Sequence, residues 1–131
     1  MLKGRRALIT GSTSGIGLGV ARALAMAGCG VMLNGSREAT AVEATRRELE
    51  GQAGVPVAYH QADLTRPAEA EALVAATVVR LGGLDILVNN AGIQFTAPVE
   101  EFPPEMWDKL IALNLSSAFH TIHHALSLIH I

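Results

Sequence analysis

The stretch Thr10-Gly11-Ser12-Thr13-Ser14-Gly15-Ile16-Gly17 decides the fold of this chain. A short apolar run, residues 7–10, leads into it, and apolar residues recur at helical spacing over residues 16–27. This pattern predicts a strand, a glycine-rich loop and a helix whose first N–H groups are free to bind phosphate. We expect Gly11 to allow the tight turn, Gly15 to let a pyrophosphate approach and Gly17 to let helix and strand pack closely. Hydroxyls between the glycines add hydrogen-bond donors: Ser12, Thr13 and Ser14.

The same unit is repeated along the chain, which extends the prediction to the whole fold. Short apolar runs at residues 31–33, 57–59 and 85–88 alternate with helical patterns. A last helical pattern begins at Pro103-Pro104, with apolar residues at i, i+3 and i+4: Trp107, Leu110, Ile111, Leu115, Ala118, Phe119 and Ile122. Continuous apolar strands alternating with helices indicate parallel strands buried on both faces. We therefore expect an α/β fold, a doubly wound parallel sheet of the Rossmann type with about four strands. A glycine-rich segment by itself also fits a structural tight turn. Its place between a strand and a helix favours a site that binds a dinucleotide.

The composition excludes several classes of protein. Of the 131 residues, 50% are hydrophobic and the formal net charge is -2, so the chain is globular and has no basic surface for nucleic acid. One cysteine, Cys29, excludes an internal disulfide, and we expect it to be a small structural residue. No apolar stretch reaches the roughly 18 residues that cross a bilayer, and no signal peptide precedes the first strand. We expect a cytoplasmic protein with no membrane partner.

Two motifs resemble those of the short-chain dehydrogenases/reductases. Thr10-Gly11-x-x-x-Gly15-x-Gly17 is similar to the cofactor loop of that family, and Asn89-Asn90-Ala91-Gly92 is similar to its second signature. Closer still, residues 10–19, 84–94 and 99–120 resemble bacterial 3-hydroxybutyrate dehydrogenases, so the resemblance covers about the first 120 residues. It implies hydride transfer between a nicotinamide cofactor and a small alcohol, 3-hydroxybutyrate or its product acetoacetate. It also implies a homo-oligomer for a full-length parent.

The second strand leads to Asn34, where NAD enzymes usually carry an acid for the ribose 2′-hydroxyl. The resemblance implies NAD as the cofactor, with Asn34 or the backbone at Gly35 in place of that acid. Arg37 is close enough in sequence to meet a 2′-phosphate, but we expect it to be a solvated residue at a helix start. Asp63 resembles the acid that contacts adenine, and helix capping is its alternative role. The resemblance implies these cofactor contacts: Gly11, Ser12, Thr13, Ser14, Gly15, Ile16, Gly17, Asn34, Gly35, Asp63, Leu64, Asn90, Ala91, Gly92 and Leu113.

The resemblance implies one catalytic residue and one substrate-binding residue. Asn114 lies on the inward stripe of the last helix and corresponds to the helix-kinking Asn of an Asn-Ser-Tyr-Lys tetrad, whose backbone holds a water. The alternative role of Asn114 is a hydrogen bond from its side chain to the local backbone. Gln94 resembles the glutamine that binds the substrate carboxylate, with a plain polar loop residue as the alternative. The one tyrosine, Tyr59, has Asp63 rather than lysine four positions later, so we expect it in the core and the chain as given to be inactive.

The last residues raise two further questions. His120, His123, His124 and His130 have no carboxylate or cysteine beside them in the last helix, so we expect no metal site. Residues 126–131 read as the translation of a sequencing-library adapter. We therefore expect residues 1–125 to be the N-terminal part of a dinucleotide-binding domain and 126–131 to be a non-native tail. Because a sheet cut after four strands leaves an apolar edge, we expect the isolated chain to aggregate or to be partly ordered.

Two other functions fit the same residues. One is a natural non-catalytic module that binds a dinucleotide, and the other is a short-chain dehydrogenase for a different alcohol. A natural stop codon after residue 131 favours the module, whereas Gln94 favours the 3-hydroxy acid over other alcohols.

Overall fold

A computed structural model describes residues 1–128. The end of the expected tail, residues 129–131 with His130, lies outside them. The described chain contains four parallel strands, β1 (Arg6–Ile9), β2 (Gly30–Gly35), β3 (Val57–Gln61) and β4 (Ile86–Val88), in the order β3-β2-β1-β4. The predicted parallel sheet is therefore confirmed. After β3 the chain crosses to the far side of β1, and this reversal of strand order is where open α/β sheets form their ligand clefts.

The helices are α1 (Gly15–Met26), α2 (Ala39–Ala53), α3 (Pro67–Leu81), α4 (Pro104–Ile111) and α5 (Ser117–Leu128). A single turn of 3-10 helix, Val99–Glu101, precedes α4, and a π-helical turn, Ala112–Ser116, joins α4 to α5. The last helical pattern thus begins where the sequence predicted, but it is interrupted at its middle. Pro67 stands at the start of α3, where its fixed φ suits a first turn, and Gly82 ends that helix with a φ of +84°.

Helices cover both faces of the sheet, as doubly wound folds require. On one face Ile9 and Leu33 pack with α1 and α2, and on the other face Leu8 and Met32 pack with α3. Alternation along β1 produces this division, because successive side chains of a strand point to opposite faces. The core is mostly aliphatic, in agreement with an aromatic content of only 4%.

The apolar stripe of the last helical pattern does not point inward, so that part of the prediction is wrong. Of its six large residues, Leu110 is half-buried and the other five are 36–64% exposed: Trp107, Ile111, Leu115, Phe119 and Ile122. We call these five residues the exposed stripe. Helix α5 instead buries a neighbouring face of small residues, namely Ser117, Thr121 and Ala125, and it packs against α3. Small side chains let these two helices approach closely, and within residues 1–128 the larger ones stay partly exposed.

The edge of the sheet at β4 agrees with the expected apolar edge. Within the described residues β4 pairs with β1 alone, and its three residues are half-buried. In the same part of the chain, no helix is both long enough and apolar enough to span a membrane.

Candidate dinucleotide-binding site

A cleft of about 710 Å³ opens at the carboxyl ends of the strands. Most of the cofactor contacts implied by the resemblance line it: Gly11, Thr13, Ser14, Asn34, Gly35, Asp63, Leu64, Asn90, Ala91, Gly92 and Leu113. The wall also includes residues that the sequence did not suggest: Ser36, Ala62, Thr65, Ile93, Asp108, Lys109 and Ala112. Asp108 and Lys109 show that α4 forms part of the wall, and no local pattern in the sequence reports that placement.

The glycine loop has the geometry that its spacing predicts. Gly11 has a φ of +58°, and a Cβ atom there would lie 2.9 Å from the Cα of Ala91. At Gly17 a Cβ would lie 2.2 Å from the carbonyl oxygen of Gly11 and 2.5 Å from Nδ2 of Asn90. Gly15 also has a φ of +58°, but the space around its missing Cβ is open for 4 Å. Gly11 and Gly17 therefore allow close packing within the protein, and Gly15 leaves room beside the start of α1.

The start of α1 is free of competing groups. The residue before the helix, Ser14, makes no capping bond with its side chain, and the first turn contains no acidic residue. The first N–H groups of a helix carry a partial positive charge and have no intrahelical partners. This end of α1 can therefore accept an anionic group in the cleft.

Ser12 faces the interior rather than the cleft. It is fully buried, its hydroxyl donates to the carbonyl of Ile9 over 2.7 Å, and the hydroxyl accepts from the N–H of Asn34 over 2.9 Å. The expectation that this hydroxyl adds a donor to the phosphate loop is therefore wrong. Ser12 instead fixes the loop to the end of β2.

The side chain of Asn34 is likewise used inside the protein. It is 1% exposed, its Oδ1 accepts from the N–H of Gly11 over 3.0 Å, and its Nδ2 donates to the carbonyl of His60 over 3.2 Å. Both polar atoms of the amide are thus occupied, so this side chain ties the loop after β1 to β3. The next residues at the end of β2, Gly35 and Ser36, also line the cleft.

The two motifs meet at the base of the cleft. Oγ1 of Thr10 accepts from the N–H of Asn90 over 3.0 Å and from the N–H of Ala91 over 2.9 Å. In return, Nδ2 of Asn90 donates to the carbonyls of Gly11 over 2.9 Å and Thr10 over 3.2 Å. The sequence did not single out Thr10 as an anchor, although it stands first in the glycine motif. These four bonds hold two segments that are about 80 residues apart in the chain as one wall.

Asn114 lies in the π-helical turn, beside the loop after β4. Its Oδ1 accepts from the N–H of Ile93 and its Nδ2 donates to the carbonyl of Ile93, each over 2.9 Å. It is exposed rather than buried, because the stripe on which it lies faces outward. Its side chain thus bonds a distant loop, not the local backbone of its own helix. Gln94 follows Ile93, is exposed, and is not among the residues that line the cleft.

Asp63 lies in the turn before α3 and does not cap that helix, since its N-cap residue is Arg66 and no side chain makes a capping bond there. It lines the cleft, and its Oδ1 accepts from the N–H and the hydroxyl of Thr65 over 3.0 and 2.6 Å. These two bonds to Thr65 lower the pKa of Asp63 below its usual value, so it is ionised at neutral pH. The carboxylate therefore orders the turn before α3 and presents negative charge to the cleft.

Comparison with known proteins identifies the family. The family model for short chain dehydrogenases matches residues 5–130. This chain belongs to the short-chain dehydrogenase family. It is 53% identical over 126 residues to D-beta-hydroxybutyrate dehydrogenase of Cupriavidus necator, covering 96% of this chain and 48% of that protein. It is 49% identical over 122 residues to the enzyme of the same name from Rhizobium meliloti, covering 93% and 47%.

A solved short-chain dehydrogenase shows the same fold. The structure from Burkholderia cenocepacia J2315 in complex with NADP superposes with a TM-score of 0.92 at 30% identity, covering 98% of this chain and 52% of that one. The resemblance drawn from the two motifs is therefore confirmed, as is the Rossmann-type sheet. This short-chain dehydrogenase chain spans about half the length of the curated relatives that it matches.

Proposed function

We propose that residues 1–125 form the cofactor-binding half of an NAD-dependent 3-hydroxybutyrate dehydrogenase, which interconverts 3-hydroxybutyrate and acetoacetate. One observation carries the proposal: Thr10 and Asn90 join the glycine loop and the second motif into a single cleft wall next to an uncapped helix start. The identity of 53% to a D-beta-hydroxybutyrate dehydrogenase supports the substrate.

The residues of the cleft fit a dinucleotide. The open N–H groups at the start of α1, beside Gly15, suit the pyrophosphate. Gly35 with Ser36 suits the adenosine ribose, and Asp63 with Leu64 suits the adenine, because they line the wall beyond β2 and β3. Backbone at residues 90–92, together with Leu113, forms the rest of the wall. When bound, the dinucleotide accepts or gives the hydride.

The protein's own contribution is positioning. Asn114 holds the backbone at Ile93, and we propose that this bonding fixes the loop that carries Gln94. Gln94 then holds the carboxylate of the substrate with its amide. The sequence has one tyrosine and it lacks a lysine four positions later, so we propose that proton transfer depends on residues outside these 131 and that the chain alone is inactive.

The cofactor and the assembly are part of the proposal. We propose NAD on the strength of the resemblance to 3-hydroxybutyrate dehydrogenases, and the relative values of kcat/KM with NAD and NADP test it. We also propose that the full-length enzyme is a homo-oligomer that acts in the cytoplasm. The exposed stripe supports the oligomer, because large contiguous apolar surfaces usually mark contacts between proteins.

A non-catalytic dinucleotide-binding module is the second candidate. It is supported by a cleft that the chain forms with its own residues, while these 131 residues contain no Tyr-x-x-x-Lys pair. Such a module would bind NAD without oxidising any alcohol.

The decisive experiment reads the source DNA across the codon for Leu126 without a transposase-based library. We expect residues 126–131 to be replaced by a frame that continues into a serine and a Tyr-x-x-x-Lys pair. A genomic stop codon after residue 131 would instead support the non-catalytic module. The natural protein, at the length that this reading gives, is the material for each measurement proposed below.

A further inference from the structure

Side chains of β3 hold the turn at the end of β2, residues 35–37. The hydroxyl of Tyr59 bonds the carbonyl oxygens of the first and last residues of this turn, over 3.1 Å at the first. Nε2 of Gln61 donates to the middle carbonyl over 3.0 Å, and the N–H of Ala62 donates to the first over 3.0 Å. All three carbonyl oxygens of the turn therefore have a partner from β3 or the residue after it.

These bonds fix the direction of the opposite backbone groups as well. In a trans peptide the C=O and the next N–H point in opposite directions, and the described chain contains no cis peptide. Holding the carbonyls of residues 35–37 towards β3 thus turns the N–H groups of residues 36–38 away from it. Gly35 and Ser36 line the cleft, while the amide of Asn34 is committed to the protein interior. The turn therefore supplies the first free donors at the end of β2.

Packing alone does not explain the tyrosine. The ring of Tyr59 lies in the core between the sheet and helices α1 and α2, where a phenylalanine would fill the same volume. The residue is only 7% exposed, and burial raises the pKa of its phenol, so the hydroxyl stays protonated and keeps donating at neutral pH. One proton shared between two carbonyls couples the two ends of the turn.

The turn also touches the phosphate loop, so its position matters to the whole site. A Cβ atom at Gly35 would lie 2.8 Å from Cγ2 of Thr13. A guanidinium nitrogen of Arg37 lies 3.5 Å from the carbonyl oxygen of Thr13. A displaced turn would therefore shift either the cleft wall at Gly35 and Ser36 or the glycine loop at Thr13.

We propose that Tyr59 and Gln61 are positioning residues for the adenosine ribose of the dinucleotide. They act through the turn 35–37 by directing its N–H groups and the Ser36 hydroxyl at the ribose 2′-hydroxyl. The inference rests on the proposed function, because it requires a dinucleotide in this cleft.

Titration calorimetry of the natural protein with two ligands tests the inference: NAD, and 2′-deoxy-NAD, which lacks the 2′-hydroxyl of the adenosine ribose. Tyr59→Phe is expected to raise the Kd for NAD about 5- to 10-fold, as loss of a buried hydrogen bond does, and the Kd for 2′-deoxy-NAD less than about 2-fold. Gln61 is exposed, so its substitution should not unfold the protein. Gln61→Met is expected to raise the Kd for NAD about 2- to 5-fold and again to change the Kd for 2′-deoxy-NAD less.

Thr77→Val is the matched control. It removes a fully buried hydroxyl that bonds the carbonyl of Leu73 over 2.9 Å on the other face of the sheet. We expect it to leave both Kd values unchanged. Equal changes for the two ligands in Tyr59→Phe and Gln61→Met, or no change, would show that these side chains only support the fold. If the unmodified protein binds neither ligand, the proposed function fails, and this inference fails with it.

Discussion

Two glycines in one helix provide the sharpest test of the cleft geometry. Gly17 and Gly19 both lie in α1, so alanine has the same intrinsic helix preference at each position. At Gly17 the new Cβ would lie 2.2 Å from the carbonyl oxygen of Gly11 and 2.5 Å from Nδ2 of Asn90. At Gly19 the Cβ would meet nothing within 4 Å. The two substitutions therefore differ only in what surrounds the added methyl group.

The expected free energies follow from these contacts. Overpacking against fixed backbone costs about 1–3 kcal/mol, and displacing the Asn90 amide costs about 1 kcal/mol more. Replacing glycine by alanine inside a helix returns about 1 kcal/mol at either site. Gly17→Ala should therefore destabilise the protein by about 1–3 kcal/mol, whereas Gly19→Ala should stabilise it by up to about 1 kcal/mol.

Urea unfolding followed by circular dichroism measures both free energies of unfolding. Calorimetry with NAD on the same samples should show weaker binding for Gly17→Ala alone, because the clash moves the loop that we propose holds the pyrophosphate. Equal stabilities for the two variants, or a Gly17→Ala protein as stable as the unmodified one, would refute the packing role assigned to this glycine.

Three other outcomes are expected. Thr10→Val should destabilise the protein by about 2–4 kcal/mol, since it leaves the N–H groups of Asn90 and Ala91 without their acceptor; unchanged urea midpoints would contradict this. Hydrogen bonds from Arg46 lower the pKa of Glu43 to about 2 from 4.5, so its contribution to stability is present above pH 4.5 and is lost as the pH falls towards 2. In Glu43→Gln the unfolding midpoint should fall less over this pH range. A pH dependence equal to that of the unmodified protein would refute the role of the ion pair. Gln94→Ala should raise KM for 3-hydroxybutyrate about 10-fold or more without changing KM for NAD, and steady-state kinetics in which both KM values move together would contradict a substrate role.

The sheet and the position of the cleft were predictable because their signals are local. A glycine loop between an apolar run and a helical pattern is visible in a few residues, and the repeated alternation restricts parallel strands to a few topologies. The loop residues with open backbone, such as Gly15, followed from the same pattern.

Side-chain directions at the strand ends were not predictable in the same way. Ser12 and Asn34 look like ligand-facing polar residues in the sequence, yet each bonds the other segment's backbone in the interior. Whether a polar group at a strand end faces a ligand or a neighbouring loop depends on how the two loops pack, which no local spacing reports. The hydroxyl of Tyr59 was overlooked for the same reason.

The exposed stripe shows the limit of periodicity. The spacing of Trp107, Ile111 and Leu115 identified an apolar helix face correctly, but it does not specify which surface covers that face. Helix α5 instead buries Ser117 and Thr121, whose small side chains carry little hydrophobic signal, and it packs on α3. Asn114 was placed inside the protein only because it shares the stripe.

A steady-state assay of the natural protein with 3-hydroxybutyrate and NAD tests the central claim most directly. If residues 1–125 are the cofactor half of a 3-hydroxybutyrate dehydrogenase, NADH forms in proportion to enzyme and acetoacetate appears in equal amount. Calorimetric binding of NAD without NADH formation from 3-hydroxybutyrate would contradict the claim.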